Sequence, residues 1–231
     1  MGERLAQTER VLALIPAYNE AERVAGVVER SRAWLPVLVV DDGSADETAA
    51  KAETAGAEVL CQHPNQGKGA ALRAGFRWAL ERDYAAVLAL DADGQHDPAE
   101  IPLFLEAFTA RRPDLIIGSR DFSQMPFIRR MANSFGTWAF SWAMGRHIQD
   151  NQSGYRLISC RMMEAVLESG QSGFEFEVEM IVDCVRQGYA LDWVPIRTIY
   201  AGEQSHIQPL GHTLKFLRLV WRTRQKIKRG M

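Results

Sequence analysis

The chain has 231 residues, a formal net charge of −2 and 47% hydrophobic residues. This length and apolar content suit a single α/β domain, and no linker, charge block or internal repeat divides the chain. The balanced charge argues against a nucleic-acid-binding protein, whose surface would be strongly basic. Cys61, Cys160 and Cys184 are too far apart to form a metal-ligand pattern, which predicts buried, reduced thiols. The absence of a signal sequence or a membrane-spanning run predicts a cytoplasmic protein.

Short apolar runs alternate with helical patterns through the first half of the chain, which is typical of a mostly parallel sheet flanked by helices. The predicted strands are 11–15, 37–40, 59–60, 86–90 and 115–117, and the predicted helices are 21–34, 46–56, 68–80 and 98–110. The second half is less regular. Its predicted elements are an amphipathic stretch over 126–145, helices over 161–169 and 176–187, a strand over 191–196 and a C-terminal helix over about 207–228.

One apolar strand runs directly into two carboxylates, Asp91 and Asp93. Residues i and i+2 leaving a strand point the same way, so the two side chains can share one hard cation. Mg²⁺ or Mn²⁺ held by carboxylates takes phosphate oxygens as further ligands. With Gln95 as a supporting ligand, the pattern predicts a metal site for a nucleotide phosphate. The alternative is a solvated turn in which the aspartates cap the helix near Pro98, and His96 is interpreted as a surface or loop histidine.

Two other predicted strands also end in polar loops, and a glycine-rich turn follows the third. The segments are Pro-Ala-Tyr-Asn-Glu over 16–20, Asp-Asp-Gly-Ser-Ala-Asp-Glu-Thr over 41–48 and Asn-Gln-Gly-Lys-Gly-Ala-Ala over 65–71. Ligands of open parallel sheets bind outside the carboxyl ends of the strands, so these loops predict one crevice. The glycine turn lacks P-loop spacing, and Gly-x-Gly-x-x-Gly is absent, which argues against NTPase and dinucleotide-binding functions. Each loop alone could also be a plain turn or helix entry.

Taken in order with Asp-Ala-Asp-Gly-Gln-His over 91–96, these segments resemble the nucleotide-binding motifs of family 2 inverting glycosyltransferases. The most similar branch is the polyprenyl-phosphate sugar synthases typified by dolichyl-phosphate mannose synthase. The resemblance implies a GT-A fold, with a nucleotide-binding half over about 9–120 and an acceptor-binding half over about 121–231. It also implies a GDP- or UDP-sugar donor. The residues that it implies for nucleotide binding are Pro16, Tyr18, Glu20, Asp42, Lys68, Gly69, Asp91, Ala92, Arg130 and Ser205.

Within this set, Pro16 and Tyr18 are expected to border the base, which Glu20 caps or contacts, and Asp42 to accept hydrogen bonds from the base or ribose. Ser205 lies where the family has a Gly-x-Ser-Lys phosphate-contacting turn, but His206 replaces the lysine in this chain. A neutral histidine contributes less charge toward a phosphate.

Two further catalytic candidates are Arg120 and Glu177. Arg120 follows a predicted strand, where its planar guanidinium could stabilise a departing diphosphate; the alternative is a salt bridge with Asp121 or Asp114. The Gln-Ser-Gly-Tyr-Arg segment over 152–156 resembles a donor and acceptor pocket segment of the same branch. Glu177 is either a general base for a hydroxyl acceptor or, with an ionised phosphate acceptor, an orienting group; the alternative is a solvated strand-to-helix edge.

The stretch 126–145 and the C-terminal run mix aromatic, apolar and basic residues, which favours peripheral contact with an anionic membrane. The stretch 126–145 could equally be a core helix. The resulting prediction is a metal-dependent enzyme that moves a sugar from a nucleoside-diphosphate sugar to a polyprenyl phosphate. The alternatives are a glycosyltransferase for a soluble or glycan hydroxyl and a non-catalytic nucleotide-sugar-binding protein.

Overall fold

The structure is a computed structural model that describes residues 10–120, 127–169 and 176–197, together with 220–221, 223–225 and 227. Its strands are β1 (Val11–Ala17), β2 (Val37–Asp41), β3 (Glu58–Cys61), β4 (Ala86–Ala89), β5 (Leu115–Arg120), β6 (Arg156–Ser159) and β7 (Leu191–Ile196). Its helices are α1 (Val24–Arg32), α2 (Thr48–Thr54), α3 (Lys68–Leu80), α4 (Ile101–Arg111), α5 (Phe127–Met144), α6 (Cys160–Glu168) and α7 (Phe176–Arg186), and a 3₁₀ turn (Pro98–Glu100) precedes α4.

The strands form one sheet in the order β3-β2-β1-β4-β6-β5-β7. All neighbouring pairs are parallel except those of β6, which runs antiparallel to both β4 and β5. The predicted mostly parallel sheet is therefore confirmed. Because the chain moves outward from β1 through β2 to β3 and then returns to place β4 on the other side of β1, the strand order reverses between β1 and β4. Such a reversal opens a crevice at the carboxyl ends of the two strands.

Both faces of the sheet are buried, as expected where helices cover a parallel sheet on each side. Alternate residues of β1 enter the two cores. Leu12 and Leu14 pack with residues of α3, α6 and α7, whereas Ala13 and Ile15 pack with residues of α1 and α4. Helix α3 lies so close to β1 that a Cβ atom on Gly75 would be 2.4 Å from Leu14 Cδ1.

The strand β6 was missed by the sequence analysis. Its four residues directly follow a polar loop and lead directly into α6, so no turn residue separates strand from helix. A run this short carries little periodicity. The finding matters for the site, because β6 brings the loop that precedes it beside the carboxyl end of β4.

The prediction of three buried thiols is wrong for two of them. Cys184 is buried, but Cys61 and Cys160 are exposed. Cys61 ends the edge strand β3, and Cys160 opens α6 on its solvent side.

The C-terminal helix predicted over 207–228 lies mostly outside the described residues, as does Ser205; the described positions from 220 to 227 are helical. Among the helices that the structure describes, none combines the length and apolar character needed to span a bilayer.

Candidate active site

A cavity of about 530 Å³ opens at the carboxyl ends of β1, β2 and β4, where the strand order reverses. The structure thereby brings together predicted residues from four separate segments. The lining residues are Pro16, Ala17, Tyr18, Glu20, Asp42, Asn65, Gly67, Lys68, Ala71, Asp91, Ala92 and Asp93. Five predicted site residues of the described part are not in this lining: Gly69, Gln95, Arg120, Arg130 and Glu177. Arg130 is exposed on α5.

The walls of the cavity after β1 and β2 are tied to each other by hydrogen bonds. Asn19 Oδ1 accepts the Ala45 N–H at 2.9 Å, and the Asn19 N–H donates to Ser44 Oγ at 2.9 Å. The Glu20 N–H donates to Thr48 Oγ1 at 2.8 Å. Asn19 has a φ of +54°, a left-handed conformation that asparagine tolerates better than most residues. These bonds fix the two loops as one rigid edge of the site.

Asp42 is buried and holds the glycine turn that leads into α3. Its Oδ1 accepts the Gln66 N–H at 2.9 Å, and its Oδ2 accepts the Gly67 N–H at 2.6 Å. Gly67 has a φ of +90°, which favours glycine. This structural contact was not predicted, because it joins residues 25 positions apart. The predicted contact of Asp42 with a base or ribose stays a prediction.

A three-membered charge cluster lies beside the cavity. Lys68 Nζ is 2.5 Å from Asp91 Oδ1 and 2.8 Å from Glu177 Oε1. Burial alone would lower the pKa of Lys68, but the two carboxylates outweigh burial and raise that pKa above its usual range. Burial would likewise raise the pKa of Asp91, but Lys68 holds it below its usual value. Lys68 and Asp91 are therefore both charged at neutral pH.

Gly154 closes this cluster on the side of the loop before β6. A Cβ atom at this position would lie 2.9 Å from Asp91 Oδ2, 2.9 Å from Lys68 Nζ and 3.1 Å from Glu177 Oε1. These separations are shorter than van der Waals contact, so a side chain here would displace the charged groups. Glycine is required at position 154 for space rather than for backbone conformation.

His96 lies in the loop after β4, as predicted, but it is buried rather than at the surface. It is 8% exposed, and its Nδ1 accepts the Asp91 N–H at 3.1 Å. The ring stacks on Tyr155, with 5.0 Å between the ring centroids. Burial lowers the pKa of His96, so the ring is neutral at pH 7 and its Nδ1 is an acceptor. The sequence carries no signal for this contact, because Tyr155 directly precedes β6, a strand too short to be recognised from its sequence.

The alternative in which Asp91 and Asp93 cap the following helix is wrong, because Asp97 provides the cap. Asp97 Oδ1 accepts the Ala99 N–H at 3.1 Å. Asp93 Oδ1 instead accepts the Gln95 N–H at 2.9 Å, which closes a tight turn at the cavity. Asp91 and Asp93 therefore both face the space where a ligand would lie.

The donor set fits a divalent cation that keeps much of its water. No group of three or more His, Cys, Asp and Glu side chains in the described part of the chain is arranged to hold a metal by itself. Two carboxylates on one cavity are nevertheless hard oxygen donors, and Mg²⁺ usually binds through one or two carboxylates plus substrate phosphates. The residues present thus suit a metal that enters together with a diphosphate.

Arg120 forms a bidentate ion pair with Asp150, a partner that was not predicted from the sequence. Its Nε and Nη2 contact the two carboxylate oxygens of Asp150 at 2.7 and 3.1 Å, and the Asp150 side chain is 1% exposed. Asp114 instead accepts hydrogen bonds from Ser159 and Ala190, and Asp121 lies outside the described residues. The role of Arg120 toward a diphosphate stays a prediction.

A buried arginine, the last residue of the segment 152–156, holds the loop before β6. The Arg156 guanidinium donates to the carbonyl oxygens of Ser153 at 2.7 Å, of Asn151 at 3.2 Å and of Glu177. It thereby fixes the loop that carries Gly154 against the start of α7. Glu177 lies in the first turn of a helix, so it is not part of the solvated edge that was the alternative.

A family model described as glycosyl transferase family 2 matches residues 13–167. The chain belongs to this family. Undecaprenyl-phosphate mannosyltransferase of Micrococcus luteus is 38% identical over 202 residues, which cover 81% of this chain and 82% of the relative. Polyprenol monophosphomannose synthase of Mycolicibacterium smegmatis is 33% identical over 205 residues, which cover 82% and 77%. This family 2 chain is therefore an enzyme, a glycosyltransferase, and its resemblance to the polyprenyl-phosphate branch is confirmed.

The GT-A fold is confirmed by likeness to solved structures. Glucosyl-3-phosphoglycerate synthase from Mycobacterium tuberculosis, crystallised with Mn²⁺, uridine diphosphate and phosphoglyceric acid, has a TM-score of 0.68. The match covers 93% of this chain and 77% of that chain, at 18% identity. At this identity the likeness establishes the fold alone.

Proposed function

We propose that this glycosyltransferase moves a hexose from a nucleoside-diphosphate sugar to a polyprenyl phosphate at the cytoplasmic face of a membrane. The observation that carries the proposal is the cavity at the β1–β4 reversal, with Asp91, Asp93 and Lys68 on one wall. The mannosyltransferase names of the relatives, together with their identity to this chain, support a polyprenyl phosphate acceptor and make mannose the first sugar to test.

In this proposal the nucleotide lies against the loops after β1 and β2, and the diphosphate lies toward Asp91 and Asp93. Asp91, Asp93 and Gln95 would hold a Mg²⁺ or Mn²⁺ ion, which supplies positive charge to the leaving diphosphate. An oxygen of the acceptor phosphate forms a bond to the anomeric carbon from the opposite face. The bond between that carbon and the diphosphate oxygen breaks, and the electron pair leaves with the diphosphate.

The surroundings of Glu177 favour a phosphate acceptor over a hydroxyl. A hydroxyl acceptor needs a base that takes its proton, and the candidate base must have a free oxygen within hydrogen-bond distance. Glu177 Oε1 instead holds the ammonium group of Lys68 at 2.8 Å, so only Oε2 remains for such a role. An acceptor phosphate is already ionised at neutral pH and needs no base. Glu177 then orients Lys68 rather than removing a proton.

The exposed face of α5 supports contact with a membrane. Met131, Phe135, Trp138 and Trp142 are spaced as i, i+4, i+7 and i+11, which places them on one side of the helix, and each is more than half exposed. Trp221 is 62% exposed, and Arg224, three residues later, lies over the Trp142 ring at 4.2 Å. Exposed aromatic side chains next to cations are typical of interfacial helices. We call Met131, Phe135, Trp138 and Trp142 the α5 stripe.

The proposal is tested with purified protein, Mn²⁺ or Mg²⁺, a panel of GDP- and UDP-hexoses and a short polyprenyl phosphate. The matched control acceptor is the polyprenol of the same length, which differs only in ending with a hydroxyl. With polyprenyl phosphate we expect release of the nucleoside diphosphate and formation of a lipid-linked sugar. With the polyprenol we expect neither. Efficient transfer to the polyprenol or to a water-soluble hydroxyl, with none to the phosphate, would reject this acceptor.

A further inference from the structure

The Lys68 side chain can contact either the carboxylates beside the cavity or a ligand inside the cavity. Its ammonium group contacts Asp91 and Glu177, yet the residue also lines the cavity and its side chain is 42% exposed. Lys68 is the first residue of α3, directly after the turn that Asp42 holds. The Cα position is therefore fixed, while the four-carbon stem can still carry the ammonium group toward the cavity.

The contact with Asp91 conflicts with metal binding by the same carboxylate. Lys68 Nζ is 2.5 Å from Asp91 Oδ1, a distance at which the ammonium group occupies that oxygen. A divalent cation bound to Asp91 would be close to a positive charge, and the two cations repel each other. Gly154 leaves no free space on the other side, because even a single carbon there would be 2.9 Å from Asp91 Oδ2 and from Lys68 Nζ.

We propose that Lys68 is an internal counter-ion that occupies Asp91 in the free protein and transfers to the donor diphosphate when a divalent cation takes its place. Glu177 keeps one contact to Lys68 and guides this movement. The inference rests on the proposed nucleotide-dependent function. Binding of the metal and binding of the diphosphate are then interdependent. When the metal binds without a diphosphate, it displaces the Lys68 ammonium group from Asp91, and no diphosphate is present to pair with that group. By linkage, each ligand then raises the affinity for the other.

The inference predicts opposite effects of one substitution on two binding constants. Lys68→Met removes the competitor of the metal, so Mn²⁺ alone should bind about two- to fivefold more tightly, the range expected from losing a partly exposed ion pair. The same variant lacks the cation that receives the diphosphate. Uridine or guanosine diphosphate in the presence of Mn²⁺ should therefore bind about tenfold more weakly. A purely structural role for Lys68 would weaken both.

The experiment measures free Mn²⁺ by electron paramagnetic resonance and nucleotide binding by calorimetry. Lys68→Arg keeps the positive charge, and we expect its affinity for Mn²⁺ alone to stay within about twofold of the unmodified protein. Lys51→Met is the matched control, because Lys51 is a similarly exposed lysine on α2 whose ammonium group pairs with Glu47 at 4.0 Å; it should change neither constant. If circular dichroism shows that Lys68→Met is unfolded, Lys68→Gln replaces it with the same expectations.

Mn²⁺ affinity that is unchanged, weaker or undetectable in the Lys68 variant would overturn the inference. A failure of the proposed function looks different. In that case the unmodified protein transfers no sugar to polyprenyl phosphate from any donor, while the opposite shifts of the two binding constants still establish the exchange.

Discussion

The cavity and the α5 stripe present two different kinds of surface. Around the cavity, polar groups are paired within the protein: Asn19 bonds to the loop after β2, Asp42 to the glycine turn and Lys68 to two carboxylates. The α5 stripe instead leaves large apolar side chains in solvent, with Trp138 64% exposed. A polar site of this kind is already organised for a small charged ligand, whereas an apolar stripe gains free energy by burial against a larger surface.

The two surfaces should therefore be separable by mutation. Changes in the cavity should alter nucleotide chemistry without altering membrane contact, and changes in the stripe should do the reverse.

The largest effect is expected from Asp93→Ala. Loss of a direct ligand to the cation removes several kcal/mol of leaving-group stabilisation, so turnover should fall more than about a hundredfold. Metal-dependent nucleotide binding should weaken, and the thermal unfolding midpoint should change little. The control is Glu81→Ala, which removes an exposed carboxylate at the far end of α3. Undiminished transfer by the Asp93 variant in Mn²⁺ or Mg²⁺ would reject the metal role of Asp93.

A smaller effect on the same surface is expected from Gly154→Ala. The added carbon must displace Asp91, Lys68 or Glu177, and overpacking of this kind costs about 1–3 kcal/mol. We expect about a tenfold loss of nucleotide affinity in calorimetry, together with reduced turnover. Gly26→Ala is the matched control, since nothing lies within 4 Å of the added carbon. In helix α1 that change should stabilise the protein by up to about 1 kcal/mol. Equal behaviour of both alanine variants would show that Gly154 does not close the cluster.

More of the fold than of the site could be predicted from the sequence. Strand runs such as Val37 to Val40 and the polar segments that follow them are local signals, and they placed the cavity correctly. The contacts that shape the charge cluster are not local. Lys68, Gly154 and Glu177 meet only because β6 inserts between β4 and β5, and β6 is too short to show a period. Burial of His96 under Tyr155 depends on the same insertion.

On the other surface, Trp138→Ser tests the α5 stripe. Removing one large aromatic side chain from an interfacial face should reduce co-sedimentation with anionic vesicles by about fivefold to tenfold, because a buried aromatic contributes a few kcal/mol at most. Nucleotide affinity should stay unchanged. Trp34→Ser is the control, since Trp34 is 49% exposed but precedes β2 at the opposite end of the sheet from the cavity. Equal losses in the two variants, or no vesicle binding by the unmodified protein, would remove the membrane role of the stripe.

The smallest effect concerns the pH dependence of stability. Burial lowers the pKa of His96 in the folded protein, so the unfolded chain binds more protons below the ordinary histidine value of about 6.5. The free energy of unfolding should therefore fall as the pH decreases below about 6.5, by about 1.4 kcal/mol per pH unit at most. Denaturant unfolding at pH 7.5 and pH 5.5 measures this slope. His96→Gln should flatten it, and an identical slope in the variant would show that His96 is not the group responsible.

The most direct test of the central claim is a crystal structure of the protein with Mn²⁺ and uridine or guanosine diphosphate. The position of the manganese ion is identified by its anomalous scattering. The account predicts the manganese peak next to Asp93 in the cavity, with the diphosphate between the metal and Lys68 and the base against the loops after β1 and β2. A manganese and nucleotide bound elsewhere on the protein, with the Lys68–Asp91 contact intact and the cavity empty, would contradict it.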